Sequence, residues 1–282
     1  MLRAAAFALL SLPLCMAQAA DDMVRIPAGE TRVGSDTGGR PDEQPSFVAQ
    51  VPAFDIDRTP VTVAMYADYL QRTHYVTEAE RHGNSAVMTF GTGQWKLVDG
   101  ANWRKPTGPQ GDDATPTHPV THVSWNDATN YCAGQGKRLP TEVEWEHAAR
   151  AGGKTKGTYA FGDELVDKNG RYRANVWTGV FPVINTAADG YRTTSPVGAF
   201  GANPAGLTDM AGNVWEWTSD WYRPYAARNT AWDNRPGGEK VQRGGSFLCD
   251  PKFCYGFRVT ARGHATPDSS HMHVGFRCVK NS

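Results

Sequence analysis

Glycine and proline interrupt this chain so often that long regular elements are excluded: 30 glycines and 18 prolines are spread through 282 residues. Glycine permits turns that other residues resist, and proline fixes φ and removes a backbone donor, so both end helices and strands. A chain of this kind must hold much irregular backbone together with large side chains. Nine tryptophans and a hydrophobic content of 40% supply them. Between the interruptions, Val24 to Asp36 alternates apolar and polar residues and reads as short strands with tight turns. Val61 to Tyr75 has apolar residues at helical spacing. Val123 to Pro140 predicts a second helix, starting near Ser124 or Asn126 and ending at Gly134 or Gly136. Arg138 to Gly153 predicts a third, with Thr141 and Glu144 as a capping box and Gly152 as the stop. Arg81 to Pro119 and Arg223 to Glu239 are polar, rich in Gly and Pro, and read as loops. The C-terminal third reads as short strands and turns. With no repeat and no low-complexity linker, the expectation is one α+β domain.

The first residues behave differently. Arg3 precedes an apolar run from Ala4 to Met16 that is too short to span a bilayer, and Ala17-Gln18-Ala19 fits a small-x-small cleavage site. Residues 1–19 are therefore expected to be a signal peptide and residues 20–282 the mature domain, periplasmic or secreted, with no membrane span. Cys15 falls inside the leader, where Leu14 is a poor fit to the small residue that precedes a lipidated cysteine. The formal net charge is zero, which argues against nucleic acid or an anionic membrane as the main partner.

Four cysteines remain: Cys132, Cys249, Cys254 and Cys278. An exported compartment permits disulfides, and four cysteines allow three pairings. Cys249 and Cys254 flank Asp250-Pro251, which is turn chemistry, so a turn can bring their sulfurs together. From spacing alone the pair is a structural disulfide, a reducible redox couple or a two-thiolate site for a soft metal such as copper(I). His118 and His122 enclose Pro119, which disfavours a helix, and Ser124 stands where an iron site would place its carboxylate. Structural roles are expected for both. His271 and His273 would share one strand face, with a loop or substrate-side role expected rather than a metal site. The segments Asn175 to Tyr191 and Asp209 to Trp221 mix oxygen side chains with glycine turns, which suits calcium and Asx turns alike.

The ordered series RLPTEVEWEHAARAG, NVWTGVFPVINT, GNVWEWTSDWY, RGGSFLC, and TPDSS followed by GFRC resembles the formylglycine-generating enzymes, or sulfatase-modifying factors, from about Val24 to Val279. The resemblance implies a single compact domain of C-type-lectin-like fold with little regular secondary structure. It implies oxidation of the cysteine in a Cys-x-Pro-x-Arg motif of an unfolded sulfatase to Cα-formylglycine. Molecular oxygen is the co-substrate, activated by Cu(I) on Cys249 and Cys254. It also implies a Cys132–Cys278 disulfide. One structural calcium would be held by Asn175, Val176, Asp189 and Tyr191, and a second by Asp209, Gly212, Val214 and Glu216. Ser246 joins the cysteines as a catalytic residue. Trp215, Asp250, Arg258 and His273 become substrate-side residues, Trp215 as a wall of the groove and Arg258 orienting polar groups. Three positions depart from the family pattern: Asp250 stands for a histidine, Phe253 for a tyrosine and His273 for an asparagine. Two alternatives go with these departures. One is an exported oxidase on the same scaffold, resembling the pyoverdine-maturation enzyme, that acts on a siderophore chromophore precursor. The other is a non-catalytic lectin-like binding module. With no coiled coil or dimer motif in view, a monomer is the default expectation.

Overall fold

Each helix begins at the side chain that caps it. The computed structural model describes residues 22–228 and 237–282, so the expected leader and Cys15 lie outside the described residues. In α1 (Val63–Thr73) the Thr62 hydroxyl accepts from the Met65 N–H at 3.2 Å. Thr77 and Glu80 form a reciprocal capping box on the short α2 (Glu78–His82). Ser124 and Asp127 do the same for α3 (Trp125–Gly134), and Thr141 and Glu144 for α4 (Glu142–Ala149). Such caps satisfy N–H groups that a helix start leaves without partners.

The strands are short. β1 (Met23–Ile26), β2 (Gly29–Val33), β3 (Phe47–Val51) and β4 (Phe54–Asp57) precede α1. A hairpin of β5 (Asn84–Thr89) and β6 (Gln94–Asp99) follows α2. This corrects the reading of 81–119 as loop. Gly91 and Gly93, at φ 91° and 71°, make the turn, and pairing runs from Asn84↔Asp99 to Thr89↔Gln94. The segment's polar composition hid two strands that expose much of their surface. After α4 come the two-residue strands β7 (Gly179–Val180) and β8 (Ile184–Asn185). They are followed by β9 (Trp215–Trp221), β10 (Lys240–Arg243), β11 (Arg262–Ala265), β12 (Val274–Gly275) and β13 (Val279–Asn281).

Two sheets organise the domain. One has the order β1-β4-β13, and the other β11-β10-β9-β12, with β12 parallel to β9. Buried aromatic side chains fill the space between elements: Tyr66 packs against Trp103, Tyr131 and Phe276, while Trp145 joins Phe54 and Ile56 in a second cluster. A Cys132–Cys278 disulfide ties α3 to the residue before β13, with Cα atoms 5.7 Å apart. Three arginines are buried in the interior, and Arg262 meets Glu142 at 2.6 Å. Arg243 meets Glu142 and Glu146 at 2.7 and 2.6 Å, and Arg277 meets Glu216 at 2.6 Å. Buried charges of this kind persist only when paired and hydrogen-bonded. The result is one compact α+β domain with few helices.

Candidate active site

The loop after β10 builds the site. Ser246 accepts the Cys249 N–H at its carbonyl (2.9 Å), and its hydroxyl accepts from the Leu248 N–H (3.2 Å), which fixes a tight turn in the fully buried segment before the first cysteine. The Cys249 carbonyl then accepts from the Trp177 N–H at 3.0 Å. Cys249 is 1% exposed. Behind it lies Trp215, and Gly256 separates the two. A side chain at Gly256 would meet both the Trp215 ring and the Cys249 sulfur, so only glycine lets the chain pass there.

Asp250 closes the next turn. Its carboxylate accepts from the N–H groups of Lys252 (2.7 Å) and Phe253 (3.1 Å), and its carbonyl accepts from Cys254 at 3.1 Å. This is the Asx-turn chemistry that Asp before Pro predicts. The turn folds Cys254 back onto Cys249 as a sulfur pair, with Cα atoms 4.9 Å apart. Asp250 therefore spends its charge on the backbone of the cysteine loop.

Cys254 sits at the end of an open groove of about 1230 Å³, lined also by Arg32, Arg40, Lys156, Tyr255 and Arg258. A strap formed by residues 34–43 crosses the cysteine loop. The Arg40 guanidinium donates to the Cys254 carbonyl at 3.1 Å, and the Arg258 guanidinium makes two bonds to the fully buried Glu43. Burial alone would push the Glu43 carboxyl up. The Arg258 guanidinium, the Thr260 hydroxyl and the Arg40 N–H outweigh it and hold the carboxyl below its ordinary range.

The groove brings together Cys254 and Arg258 among the residues expected from sequence. Ser246 and Trp215 lie behind it with Cys249, and Trp215, only 7% exposed, is not among the residues lining the groove. His273 does not line the groove, but its carbonyl accepts from the Trp215 N–H at 2.9 Å. With His271 it packs under Trp95 of β6, at ring-centroid distances of 4.9 and 5.7 Å, and the Nδ1 atoms of both histidines are buried without a partner. Burial keeps His271 neutral down to about pH 4 and pushes His273 well down. Among the described residues no three His, Cys, Asp or Glu side chains gather as a metal centre. His118 bonds Thr194 at 2.9 Å, and His122 donates from Nε2 to the Pro106 carbonyl at 2.8 Å. Sequence reasoning missed Arg40, Glu43, Trp177 and Gly256. Arg40 and Glu43 approach the cysteine loop from more than 200 residues away, and no local pattern marks them.

Residues 13–282 match the family model described as the sulfatase-modifying factor enzyme 1-like domain. The chain belongs to this family. Sulfatase-modifying factor homologues include a formylglycine-generating enzyme of Streptomyces coelicolor, 46% identical, with 92% of this chain and 89% of the relative covered. A second formylglycine-generating enzyme, from Thermomonospora curvata, is 44% identical, with 92% and 93% covered. Among solved structures, PvdO from Pseudomonas aeruginosa superposes with a TM-score of 0.69 at 28% identity, covering 92% of this chain and 94% of PvdO. The sulfatase-modifying factor fold is thus shared with proteins of more than one name.

Two oxygen-rich segments of this family member differ in what they offer a cation. Asn175 Oδ1 is buried without a hydrogen-bond partner, and Asp189 is pushed up by burial despite N–H donors from Tyr191 and Val176. An unpartnered buried oxygen and a part-buried carboxylate that backbone N–H groups meet suit a hard cation. In the second segment both carboxylates are engaged. Asp209 accepts from Gly198, Thr208 and Asn213, and Glu216 accepts from Trp145 and twice from Arg277. Gly212 and Val214 lie between them in the same turn.

Proposed function

We propose that this protein is an exported oxidoreductase that converts the cysteine of a Cys-x-Pro-x-Arg segment in an unfolded sulfatase to Cα-formylglycine, with molecular oxygen as oxidant. The observation that carries this reading is the Cys249–Cys254 sulfur pair: one residue is fixed in the core and the other lies at the end of an open groove. Membership in the sulfatase-modifying factor family and the formylglycine-generating relatives support it. The Cys249–Cys254 sulfur bond must first take two electrons and two protons from a thiol reductant. The resulting thiolates fit Cu(I), which favours soft sulfur ligands in low coordination. When bound there, Cu(I) supplies the one-electron reactivity toward dioxygen that side chains lack.

The protein's own residues bind and orient. The turn from Ser246 holds Cys249 still, and Gly256 lets Trp215 close the space behind its sulfur. Asp250 folds the loop that presents Cys254, and Arg40 anchors that loop from the strap. The groove seats an extended chain with its thiol at the sulfur pair. The substrate carbon gives up two electrons and two protons, a thiol reductant supplies two more of each, and dioxygen takes up all four to become two waters; one water supplies the aldehyde oxygen and sulfur leaves as hydrogen sulfide. Asn175, Val176, Asp189 and Tyr191 would hold a structural calcium. Asp209 and Glu216, already engaged, carry no such proposal. The decisive test is anaerobic Cu(I) titration of the reduced protein, followed by oxygen and a Cys-x-Pro-x-Arg peptide. An aldehyde product that disappears in Cys249→Ser supports the reading. No product from wild type, or equal product from Cys249→Ser, sinks it.

The likeness to PvdO favours a second reading, an oxidase of the same scaffold acting on a siderophore chromophore precursor. Turnover of a dihydroquinoline that survives Cys249→Ser would select it.

A further inference from the structure

Large apolar side chains are exposed on one side of the cysteine loop. Phe253 is 68% exposed, Val180 61%, Val183 60%, Ile184 55% and Phe90 40%. They belong to three segments distant in sequence that touch one another in series. Phe253 stacks on Phe181 at 4.8 Å, Phe181 meets Trp177 edge-on at 5.2 Å, and Trp177 meets Phe90 at 5.6 Å. The two hairpin tips are also locked together. Gly91 donates its N–H to the Pro182 carbonyl at 2.9 Å, and a side chain at Gly93 would strike the Pro182 ring. Trp177 is buried beneath them and gives the surface a rigid base. Exposed apolar residues scattered singly mean little, but a contiguous group on a fixed frame marks a binding surface.

We propose that Phe90, Val180, Val183, Ile184 and Phe253 form a docking platform for an apolar stretch of the client polypeptide on one flank of its target cysteine. The proposal rests on the sulfatase-type reading for the identity of the client. Phe253 argues for this occupant, because it lines the groove beside Cys254 and also begins the aromatic series. A chain seated at Cys254 continues onto the platform without a break. A second copy of this protein seated there would close the groove at Cys254. An unfolded client exposes apolar side chains that its own core will later bury. The groove is also lined by Arg32, Arg40 and Lys156, and of the platform residues only Phe253 reaches it, so recognition is one-sided: apolar residues help on one flank of the cysteine and not on the other.

The test uses the full protein and four fluorescent peptides with the target cysteine replaced by serine, so that binding is read without turnover. Each carries the Ser-x-Pro-x-Arg core, with Leu and Val placed on neither flank, the N-terminal flank, the C-terminal flank or both. One apolar flank is expected to tighten binding about tenfold, as burial of part of two aliphatic side chains would give. Val183→Ser and Ile184→Ser should erase that gain, because both side chains are exposed and their loss leaves the core intact. Val76→Ser, at an exposed position outside the platform, should keep it. Equal binding of all four peptides, equal gain from either flank, or a gain that survives Val183→Ser overturns the proposal. So does a dimer in solution that Val183→Ser dissociates. Because binding is measured without chemistry, a platform effect with no aldehyde from the cysteine peptides sinks the sulfatase reading and keeps the platform.

Discussion

Arg40 and Cys254 stand 214 residues apart in sequence, yet the guanidinium of one donates to the carbonyl of the other at 3.1 Å. The second cysteine is thereby held from outside its own loop, while the first is held by core packing. Arg40→Gln removes the charged donor and keeps the fold, since the side chain is exposed. A charge-assisted bond at an exposed site contributes about 1 kcal/mol. Cu(I) affinity of the reduced protein should fall roughly fivefold, read by competition with a chromophoric chelator. Unchanged affinity would remove Arg40 from any role at the sulfur pair.

Arg258 and Glu43 tie the strap to the cysteine loop below the groove. Arg258→Ala leaves the Glu43 carboxylate buried and uncompensated, which costs about 3–5 kcal/mol. Urea unfolding near neutral pH measures this. Glu43 has its folded pKa below the unfolded value of 4.5, so its contribution is complete above that value and is lost as pH falls through the folded one. The difference between wild type and Arg258→Ala should therefore shrink on acidification.

His122 and His271 also lose stability on acidification, because burial favours their neutral form. Burial lowers His122 to about 3 and His271 to about 4, from 6.5 when unfolded. In that interval the unfolded chain binds more protons, so folding stability falls as pH drops below 6.5. His271→Asn should flatten the curve between pH 6.5 and 4, measured by urea titration at a series of pH values. A curve unchanged by the substitution would show His271 protonated in the native protein.

Removing the Cys132–Cys278 bridge opens a loop of 146 residues. The chain-entropy relation puts its contribution at about 5 kcal/mol. Cys132→Ser, Cys278→Ser and the double variant should be destabilised alike under oxidising conditions. A single variant much worse than the double would point to mispairing with Cys249 or Cys254.

Chelation tests the calcium proposal. EGTA should lower the melting temperature of wild type, and Asp189→Asn should both start lower and cease to respond. A cation present at a hundredfold its dissociation constant stabilises by about 2.7 kcal/mol. Identical melting with and without EGTA would leave the Asn175 oxygen without a metal.

Local chemistry was legible in the sequence and distant chemistry was not. The capping box of Thr141, the helix start near Ser124, the turn at Asp250 and the short strands all use partners a few residues away. The family series added the sulfur pair and the Cys132–Cys278 pairing, which spacing left open. The hairpin from Asn84 to Asp99 was missed because its strands expose much of their surface and alternate weakly. Arg40 and Glu43 gave no signal at all. Each is an ordinary surface-type residue until the fold brings it against the loop from 250 to 258.

The sheet that joins β1, β4 and β13 also sets an order of events. Asp57 accepts the Cys278 N–H across 221 residues, so one edge of that sheet is supplied by nearly the last part of the domain to be made. A chain threaded in from its first residue cannot complete this sheet until almost all of it has emerged. Throughout that passage one edge of β4 stays unpaired, and Cys132 waits for a partner while Cys249 and Cys254 arrive first. Oxidation must therefore be slower than emergence of the chain, or be corrected afterwards, for the right sulfurs to meet.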